Sequence, residues 1–359
     1  MGPTPRASYI MVKIPSNAQR MEGIQKLRGL AALAVTLYHC SLNGRIPWPH
    51  SFVSAAYFGR FGVQAFFVIS GFILPYTLWK SGYVLGDAGK FLLKRLARLD
   101  PPYLASVALS VVALILAARN GGAPFTFSWT QIALHLGFLT IFSQYDWLNV
   151  AYWTLAIEFQ FYLLLAISFP LLKNRYRWLI FGGLTGLSLL ATGIAFLPIN
   201  SSHFLLGIGV FLFYTGAGSR VESISWIGAA IAVELWQRGG VETAVGVSAA
   251  VLIVIPCFQK HNSLLGFFGT ISYSLYLVHI HVANKALSLL GSHVPGILVL
   301  PLLIGVLAVT ILVAWVFYRL IEKPSQDLAS RIRYRHPARS TTTTVGESEQ
   351  IAAARLSQA

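Results

Sequence analysis

Charge of either sign is scarce in this chain, and acidic residues are the scarcest. Asp and Glu together account for 12 of the 359 residues, and all charged residues make up 11%, whereas a soluble globular protein carries roughly 25%. Hydrophobic residues make up 55%, and the mean hydropathy is +0.65. This balance excludes a disordered chain and argues against an ordinary soluble enzyme.

Cysteine is almost absent as well. Cys40 and Cys257 are the two cysteines of the chain, and both lie in apolar stretches. Two such residues provide neither a disulfide framework nor a cysteine metal cluster, so we interpret them as buried thiols. His279 and His281 are two positions apart, which places them about 200° apart on a helix. We therefore predict no metal site and no permanently bound cofactor.

Basic residues are well represented by comparison. There are 27 Lys and Arg, which gives a net charge of +15, and the isoelectric point is near 10.0. Such a balance often marks a nucleic-acid-binding protein. Here the basic residues lie between long apolar runs, as they do in the cytoplasmic loops of membrane proteins. The sequence therefore predicts a lipid bilayer as a partner and no nucleic acid.

Ten apolar segments are candidates for membrane-spanning helices, because about 20 apolar residues cross a hydrocarbon core of about 30 Å. The stretch 129–143 is too short to cross comfortably and is predicted to be an interfacial helix. The sequence thus predicts an all-α polytopic membrane protein with about ten spans. The predicted spans cover residues 24–42, 60–79, 99–118, 151–172, 178–198, 203–218, 222–237, 241–258, 264–290 and 296–321.

The distribution of Lys and Arg predicts the orientation. If the N-terminus is inside, 22 of the 27 basic residues fall in cytoplasmic segments, as the positive-inside rule requires. Both termini are therefore predicted to be cytoplasmic, in the cell inner (plasma) membrane. The predicted organisation is a cytoplasmic N-terminal segment at 1–23, a transmembrane domain at 24–324 and a disordered basic cytoplasmic tail at 325–359.

Few ionisable residues lie deep inside the predicted spans, and the clearest are His39 and Glu158. A group of this kind is costly in a membrane helix unless it is paired, and it is a functional candidate by default. The predicted topology places both residues in the outer half of the bundle, which suggests a pair. A histidine oriented by a carboxylate can take a proton from a hydroxyl. An interhelical hydrogen bond that only holds the bundle together would explain the same two residues.

Three arginines are predicted at the cytoplasmic end of the bundle. Arg28 precedes His39 by eleven residues, or roughly 16 Å along one helix. Arg95 and Arg98 are three apart and share one helix face. Guanidinium groups suit phosphate oxygens, although plain positive-inside topology would also account for these residues. A ligand whose phosphates bind these arginines and whose reactive end reaches His39 must be elongated. Coenzyme A has that shape.

Six short motifs follow one another between residues 27 and 324. They are LRGLAALAVTLYH at 27–39, FGRFGVQAFFVISGF at 58–72, RLARLDP at 95–101, WTLAIEFQFY at 153–162, ISYSLYLVH at 271–279 and EKP at 322–324. Together they resemble the acyltransferase family 3 of membrane proteins, which O-acylate sugars and other acceptors.

The resemblance implies a ten-helix core, an acyl-CoA donor on the cytoplasmic side and an acceptor hydroxyl reached from the other side. It implies that His39 is catalytic and that Arg28, Arg95 and Arg98 hold the donor. Asp100 occupies a position that is often apolar or aromatic in the family's pattern. We expect that it could pair with Arg95 or Arg98 and weaken phosphate binding.

On this basis the sequence predicts a membrane O-acyltransferase, most simply an acetyltransferase using acetyl-CoA or another acyl-CoA. His39 would act as general base with Glu158 orienting it, or would itself be acylated first. The expected acceptor is a carbohydrate or glycolipid, namely an exopolysaccharide, a lipopolysaccharide or a lipid-linked sugar; a macrolide or other secondary metabolite is the alternative. A transporter of polar or acylated solutes and a non-catalytic scaffold are rival functions. The oligomeric state is not predicted.

Overall fold

The computed structural model describes residues 17–119, 126, 128–190, 197–255, 258, 260–290 and 294–334. These residues form α-helices joined by short 3-10 and π segments, and no strand occurs among them. The helices are α1 (Asn17–Ser41), α2 (His50–Tyr57), α3 (Gly62–Lys80), α4 (Ala88–Arg119), α5 (Trp129–Leu136), α6 (Tyr152–Leu172), α7 (Arg177–Leu190), α8 (Leu197–Thr215), α9 (Arg220–Arg238), α10 (Gly240–Val254), α11 (Ser263–Thr270), α12 (Ser272–His279), α13 (Lys285–Leu290), α14 (Val299–Phe317) and α15 (Lys323–Arg331).

Where the structure describes the chain, each of the ten predicted spans contains a helix or a group of helices, but not all of these helices have the length and composition of a span. Residues 191–196 and 256–257, which belong to two of the predicted spans, lie outside the described residues. In the described part of the chain, five helical stretches are long and apolar enough to cross a membrane. A sixth counts if Ser263–Thr270 and Ser272–Leu290, which are bent by 57°, form one broken span. The chain is therefore an all-helical membrane protein, while the number of ten spans and the orientation of the termini remain predictions.

The stretch 129–143 contains one short helix. Helix α5 has eight residues, or about 12 Å of length, which is too little to cross a bilayer. The Ser128 side chain accepts a hydrogen bond from the backbone N–H of Gln131 and caps the helix start. A 3-10 turn, Thr140–Phe142, follows it. The prediction that this stretch does not span is consistent with its length.

The predicted disordered tail begins inside a helix. The tail was placed from residue 325, whereas α15 continues to Arg331 and packs against α4. Ala329 is buried in this contact. The Ser325 hydroxyl donates a hydrogen bond to the Ile321 carbonyl oxygen. The first residues of the tail are thus ordered by packing that their polar composition does not reveal. Residues 335–359 lie outside the described residues.

Glycines bring the helices around the site into backbone contact. A Cβ on Gly29 of α1 would lie 2.7 Å from the backbone nitrogen of Gly269 in α11. A Cβ on Gly71 of α3 would lie 2.3 Å from the Phe204 carbonyl oxygen in α8, and Gly207 makes the reciprocal contact with α3. Small residues at helix crossings are the usual means of close packing in membranes. These contacts fix where α1 and α3 present their polar side chains.

Two π segments interrupt the helices next to family motifs. Ile280–Asn284 follows the last residue of α12 directly. Tyr318–Glu322 lies between α14 and α15 and ends on the glutamate of the EKP motif. Single π turns inside helices occur frequently at functional sites. Both π segments are therefore candidate locations of functional side chains.

Candidate active site

A cavity opens between α1, α3, α4, α6 and α12. It takes in residues from five of the six sequence motifs, which lie far apart in the chain. Its lining on α3 runs from Val63 to Thr77, or roughly 21 Å along the helix. The space is therefore elongated. Its lining residues are Ile24, Gln25, Arg28, Val63, Phe66, Phe67, Ile69, Ser70, Ile73, Leu74, Thr77, Arg95, Arg98, Leu99, Thr154, Leu155, Glu158, Tyr162, Ser272, Tyr273 and Tyr276.

All three predicted arginines line this cavity. Arg28 comes from α1, and Arg95 and Arg98 come from one face of α4. Among the residues that the structure describes, no carboxylate lies within 4 Å of any of their guanidinium groups. The Arg95 guanidinium lies against the Tyr162 ring, 5.9 Å from its centroid, and its buried Nε has no hydrogen-bond partner. The cavity thus presents guanidinium donors that are free to bind an anion.

Asp100 does not form the expected ion pair. It sits near the cavity in a small adjoining space shared with Arg95 and Tyr273. Its Oδ1 is buried without a hydrogen-bond partner, and no ion pair to Arg95 or Arg98 occurs in the described part of the chain. Asp100 follows Arg98 by only two positions, so the two side chains leave α4 on different sides. The arginines are therefore not neutralised by this carboxylate.

Glu158 lies in the cavity with the arginines rather than beside His39. Its Oε1 accepts a hydrogen bond of 2.7 Å from the Ser70 hydroxyl, and Tyr162 lines the cavity beside it. Its charge interacts with those of Arg28 and Arg95. No hydrogen bond or ion pair with His39 occurs among the described residues. Equal depth in two helices does not fix their rotation, and α6 turns this side chain toward α3 and α4.

His39 lies outside the lining of the cavity. Its ring is partly exposed, and it packs against the ring of His279 at a centroid separation of 5.1 Å. The Tyr38 ring flanks it at the same separation. The predicted candidates thus separate into two groups, with Arg28, Arg95, Arg98 and Glu158 in the cavity and His39 beyond its end.

Tyr276 stands between the two groups. It lines the cavity, and its ring contacts that of His279 at 5.7 Å on the far side. Its hydroxyl lies 2.7 Å from the Thr154 hydroxyl and donates to the Ala151 carbonyl oxygen at 3.2 Å. Phe66 packs edge-on against the same ring. His279 follows Tyr276 by three residues, about 4.5 Å along the helix, so the cavity ends one turn short of the histidines.

Glu322 is a functional candidate that the sequence reasoning missed. Its buried carboxylate accepts hydrogen bonds from the Ser274 backbone N–H at 3.1 Å and the Ser274 hydroxyl at 2.5 Å. It thereby caps the first turn of α12, and its charge also interacts with Arg28 and Arg98. Ser274 and Glu322 are 48 residues apart and belong to different motifs. The sequence alone therefore did not indicate this contact.

A second buried polar group was missed for a different reason. His203 in α8 and Glu234 in α9 lie inside two of the predicted spans, and the sequence analysis did not single them out. Both side chains are fully buried, and the His203 Nε2 lies 3.8 Å from the Glu234 Oε1. Neither residue lines the cavity, although His203 packs behind the cavity residue Phe67 with ring centroids 6.5 Å apart.

The chain is similar to proteins of known name. It is 29% identical over 227 residues to "Putative O-acetyltransferase SAS0844" of Staphylococcus aureus strain MSSA476. The aligned region covers 57% of this chain and 33% of that protein. It is 27% identical over 365 residues to "Putative membrane-bound transacylase BcsY" of Komagataeibacter xylinus, which covers 88% of this chain and 85% of the relative. The chain thus spans about a third of the length of the staphylococcal relative. No solved structure matches it.

The family profile covers most of the chain and includes the cavity. Residues 21–319 match the profile Acyl_transf_3, described as an acyltransferase domain. The matched range contains His39, Glu158 and the three cavity arginines. The apolar helices and this match agree: the chain is a membrane protein that belongs to the acyltransferase family 3.

Proposed function

We propose that this protein transfers an acyl group, most simply acetyl, from cytoplasmic acyl-CoA to a hydroxyl of a carbohydrate or glycolipid. The observation that carries the proposal is the elongated cavity, whose arginines have no carboxylate partner within ion-pair distance among the residues that the structure describes. Guanidinium groups bind phosphate oxygens through paired N–H donors. Arg28, Arg95 and Arg98 would hold the donor's phosphates, and its thin arm would extend along α3 toward Tyr276.

His39 is proposed as the general base. It takes the proton of the acceptor hydroxyl while that oxygen attacks the thioester carbonyl. The C–S bond then breaks, and the coenzyme A thiolate leaves with the proton returned from His39. Because the cavity ends at Tyr276, the reaction requires that this side chain move aside so that the thioester reaches the histidine. Motions of this kind gate many enzyme sites.

An acylated His39 is the alternative course. In that case the thioester carbonyl bonds to a ring nitrogen, thiolate leaves, and the acceptor hydroxyl attacks the acyl-imidazole in a second step. Acid quenching of the purified protein with labelled acetyl-CoA and no acceptor, followed by peptide mass spectrometry, separates the two. Label on the His39 peptide supports the covalent course, and unlabelled peptide despite turnover supports general-base catalysis.

The acceptor is proposed to be a sugar of an exopolysaccharide, a lipopolysaccharide or a lipid-linked precursor. The support is the family, since its members acylate such hydroxyls. A macrolide or another secondary metabolite is the alternative acceptor. Product analysis by mass spectrometry after incubation with each acceptor class distinguishes them.

The decisive experiment is acetyl-CoA turnover by the purified, membrane-reconstituted protein. We expect slow release of free coenzyme A, lowered about 100-fold or more in His39→Ala, since general bases contribute on that scale. His261→Ala is the matched control, because this histidine is exposed and contacts only Glu22. Normal turnover in His39→Ala would contradict the proposal. Solute flux across vesicles that persists in His39→Ala without coenzyme A release would instead indicate a transporter.

A further inference from the structure

We infer that His279 is a positioning residue for His39: the two rings are in contact, and the buried, unpartnered Nε2 of His279 would accept a hydrogen bond that orients the His39 ring during the reaction. This inference rests on the proposed function of His39. The two rings are in contact at a centroid separation of 5.1 Å with their planes inclined by 50°. His279 is fully buried, whereas His39 retains some exposure.

The hydrogen bonds of His279 fix its tautomer. Its Nδ1 lies 2.8 Å from the Tyr276 carbonyl oxygen and 3.2 Å from that of Leu275. Carbonyl oxygens only accept hydrogen bonds, so Nδ1 carries the proton. In the neutral ring Nε2 is then an acceptor, and it has no hydrogen-bond partner although it is buried.

A buried acceptor without a partner is costly, so most buried histidines use both nitrogens. His135 does so, whereas His203 in the closely packed His203–Glu234 pair does not. The His135 Nδ1 donates to the Gln131 carbonyl at 2.8 Å, and its Nε2 accepts the Leu148 backbone N–H at 3.2 Å. Of the two His279 ring nitrogens, only Nδ1 has a hydrogen-bond partner, and that partner is the backbone of its own helix. The other nitrogen remains available to the neighbouring His39 ring.

The arrangement gives His39 a defined orientation. A rotation of the His39 side chain between rotamers brings a ring N–H toward the His279 Nε2. That hydrogen bond leaves the second nitrogen of His39 as the lone pair for the acceptor hydroxyl. During transfer the proton moves from the acceptor to His39 and on to the thiolate, while His279 keeps its own proton throughout. This is the orienting role that the sequence reasoning had assigned to Glu158.

The test compares three substitutions that differ in their hydrogen-bond acceptor. His279→Gln places an amide oxygen at a reach similar to that of Nε2, His279→Asn places it closer to the helix, and His279→Leu removes it. Steady-state kinetics with acetyl-CoA and a sugar acceptor give kcat and KM for each. His281→Gln is the matched control: this histidine lies two residues away, and its Nε2 contacts Ser110 and Asn149 instead.

We expect kcat to fall about tenfold or more in the Asn and Leu variants, the scale on which loss of an orienting partner acts. His279→Gln should keep most of the wild-type kcat. The KM for acetyl-CoA should stay within about twofold, because His279 is not in the cavity lining. Should the Leu variant fail to fold, the Gln and Asn pair makes the same comparison, since both keep a polar side chain.

Several results would overturn the inference. Wild-type kcat in all three variants, an equal loss in all three, or a loss that appears only in KM would each show that the acceptor nitrogen does not orient His39. In those cases turnover that still depends on His39 leaves the proposed function intact. If the wild-type protein shows no acyl transfer, or His39→Ala transfers normally, the proposed function and this inference both fail.

Discussion

Two groups of buried polar residues lie on opposite sides of Phe67 and differ in what surrounds them. On one side Arg28, Arg95 and Glu158 face an open cavity that runs roughly 21 Å along α3. On the other side His203 and Glu234 are fully buried against each other. A Cβ on Gly246 would lie only 3.0 Å from the Glu234 carboxylate, so the α10 backbone packs closely against this second pair.

The difference shows that a costly ionisable group in a membrane helix is an incomplete sign of a substrate site. Both groups contain polar atoms without hydrogen-bond partners, and both are expensive to hold in a bilayer. Only the arginine-lined cavity provides room for a ligand that could satisfy those atoms. We expect substitutions there to alter acyl transfer, and substitutions in the His203–Glu234 pair to alter stability.

Among substitutions in these two groups, the largest effect is expected for Arg95→Ala and Arg98→Ala. Each removes a hydrogen bond to a charged group, worth about 1.5–3 kcal/mol, so kcat/KM for acetyl-CoA should fall about 10- to 100-fold. Titration of the donor at saturating acceptor measures this. Arg238→Ala is the control from the other side of Phe67, because that guanidinium bonds the Ile199 carbonyl and Asn200. Unchanged donor affinity in both cavity variants would show that Arg95 and Arg98 do not bind the donor's phosphates.

A smaller effect is expected for Glu158→Gln. The substitution keeps the size of the side chain and removes the charge that faces Arg28 and Arg95. The guanidinium groups then lose an orienting partner, and kcat/KM should fall about tenfold, equivalent to about 1.4 kcal/mol. Size-exclusion profiles should match those of the wild type. Full activity would reduce Glu158 to a structural role.

A still smaller effect is expected for Ser70→Ala, which removes the hydroxyl that donates to Glu158 at 2.7 Å. Loss of one hydrogen bond costs about 1 kcal/mol, which corresponds to roughly a fivefold decrease in kcat/KM. The double variant with Glu158→Gln tests the connection. If Ser70 acts through Glu158, its effect should shrink in that background; simple additivity would show that it acts independently.

The smallest effect on turnover is expected for the His203–Glu234 pair. Glu234→Leu should lower the free energy of unfolding by about 2 kcal/mol, since it leaves His203 buried without its partner. Replacing both residues by Leu should recover much of that loss, and acetyl-CoA turnover per folded molecule should stay near the wild-type value. Thermal unfolding in detergent measures the first effect. A specific loss of turnover in the double variant would contradict the separation between the two groups.

The sequence predicted the parts of the site that a linear pattern can specify. The three-residue spacing of Arg95 and Arg98 places both on one helix face, and the structure brings Arg28 to the same cavity. The pairing of His39 with Glu158 was wrong in geometry, because depth estimated from hydropathy says nothing about helix rotation. His279 and Glu322 lie far from their partners in the chain, so only the packing of α12 against α1 and against the π segment Tyr318–Glu322 reveals their contacts. His203 and Glu234 escaped notice because single polar residues barely change the hydropathy of a span.

The π segment Ile280–Asn284 has a consequence for comparing this chain with its relatives. A π turn amounts to one surplus residue accommodated within an otherwise regular helix, and it begins directly after His279. A relative that lacks the surplus residue would keep the histidine while every later side chain of the same helix shifts by about 100°. An alignment with such a relative should therefore place a one-residue gap directly after His279. Residues beyond the gap should not be matched by counting from the histidine.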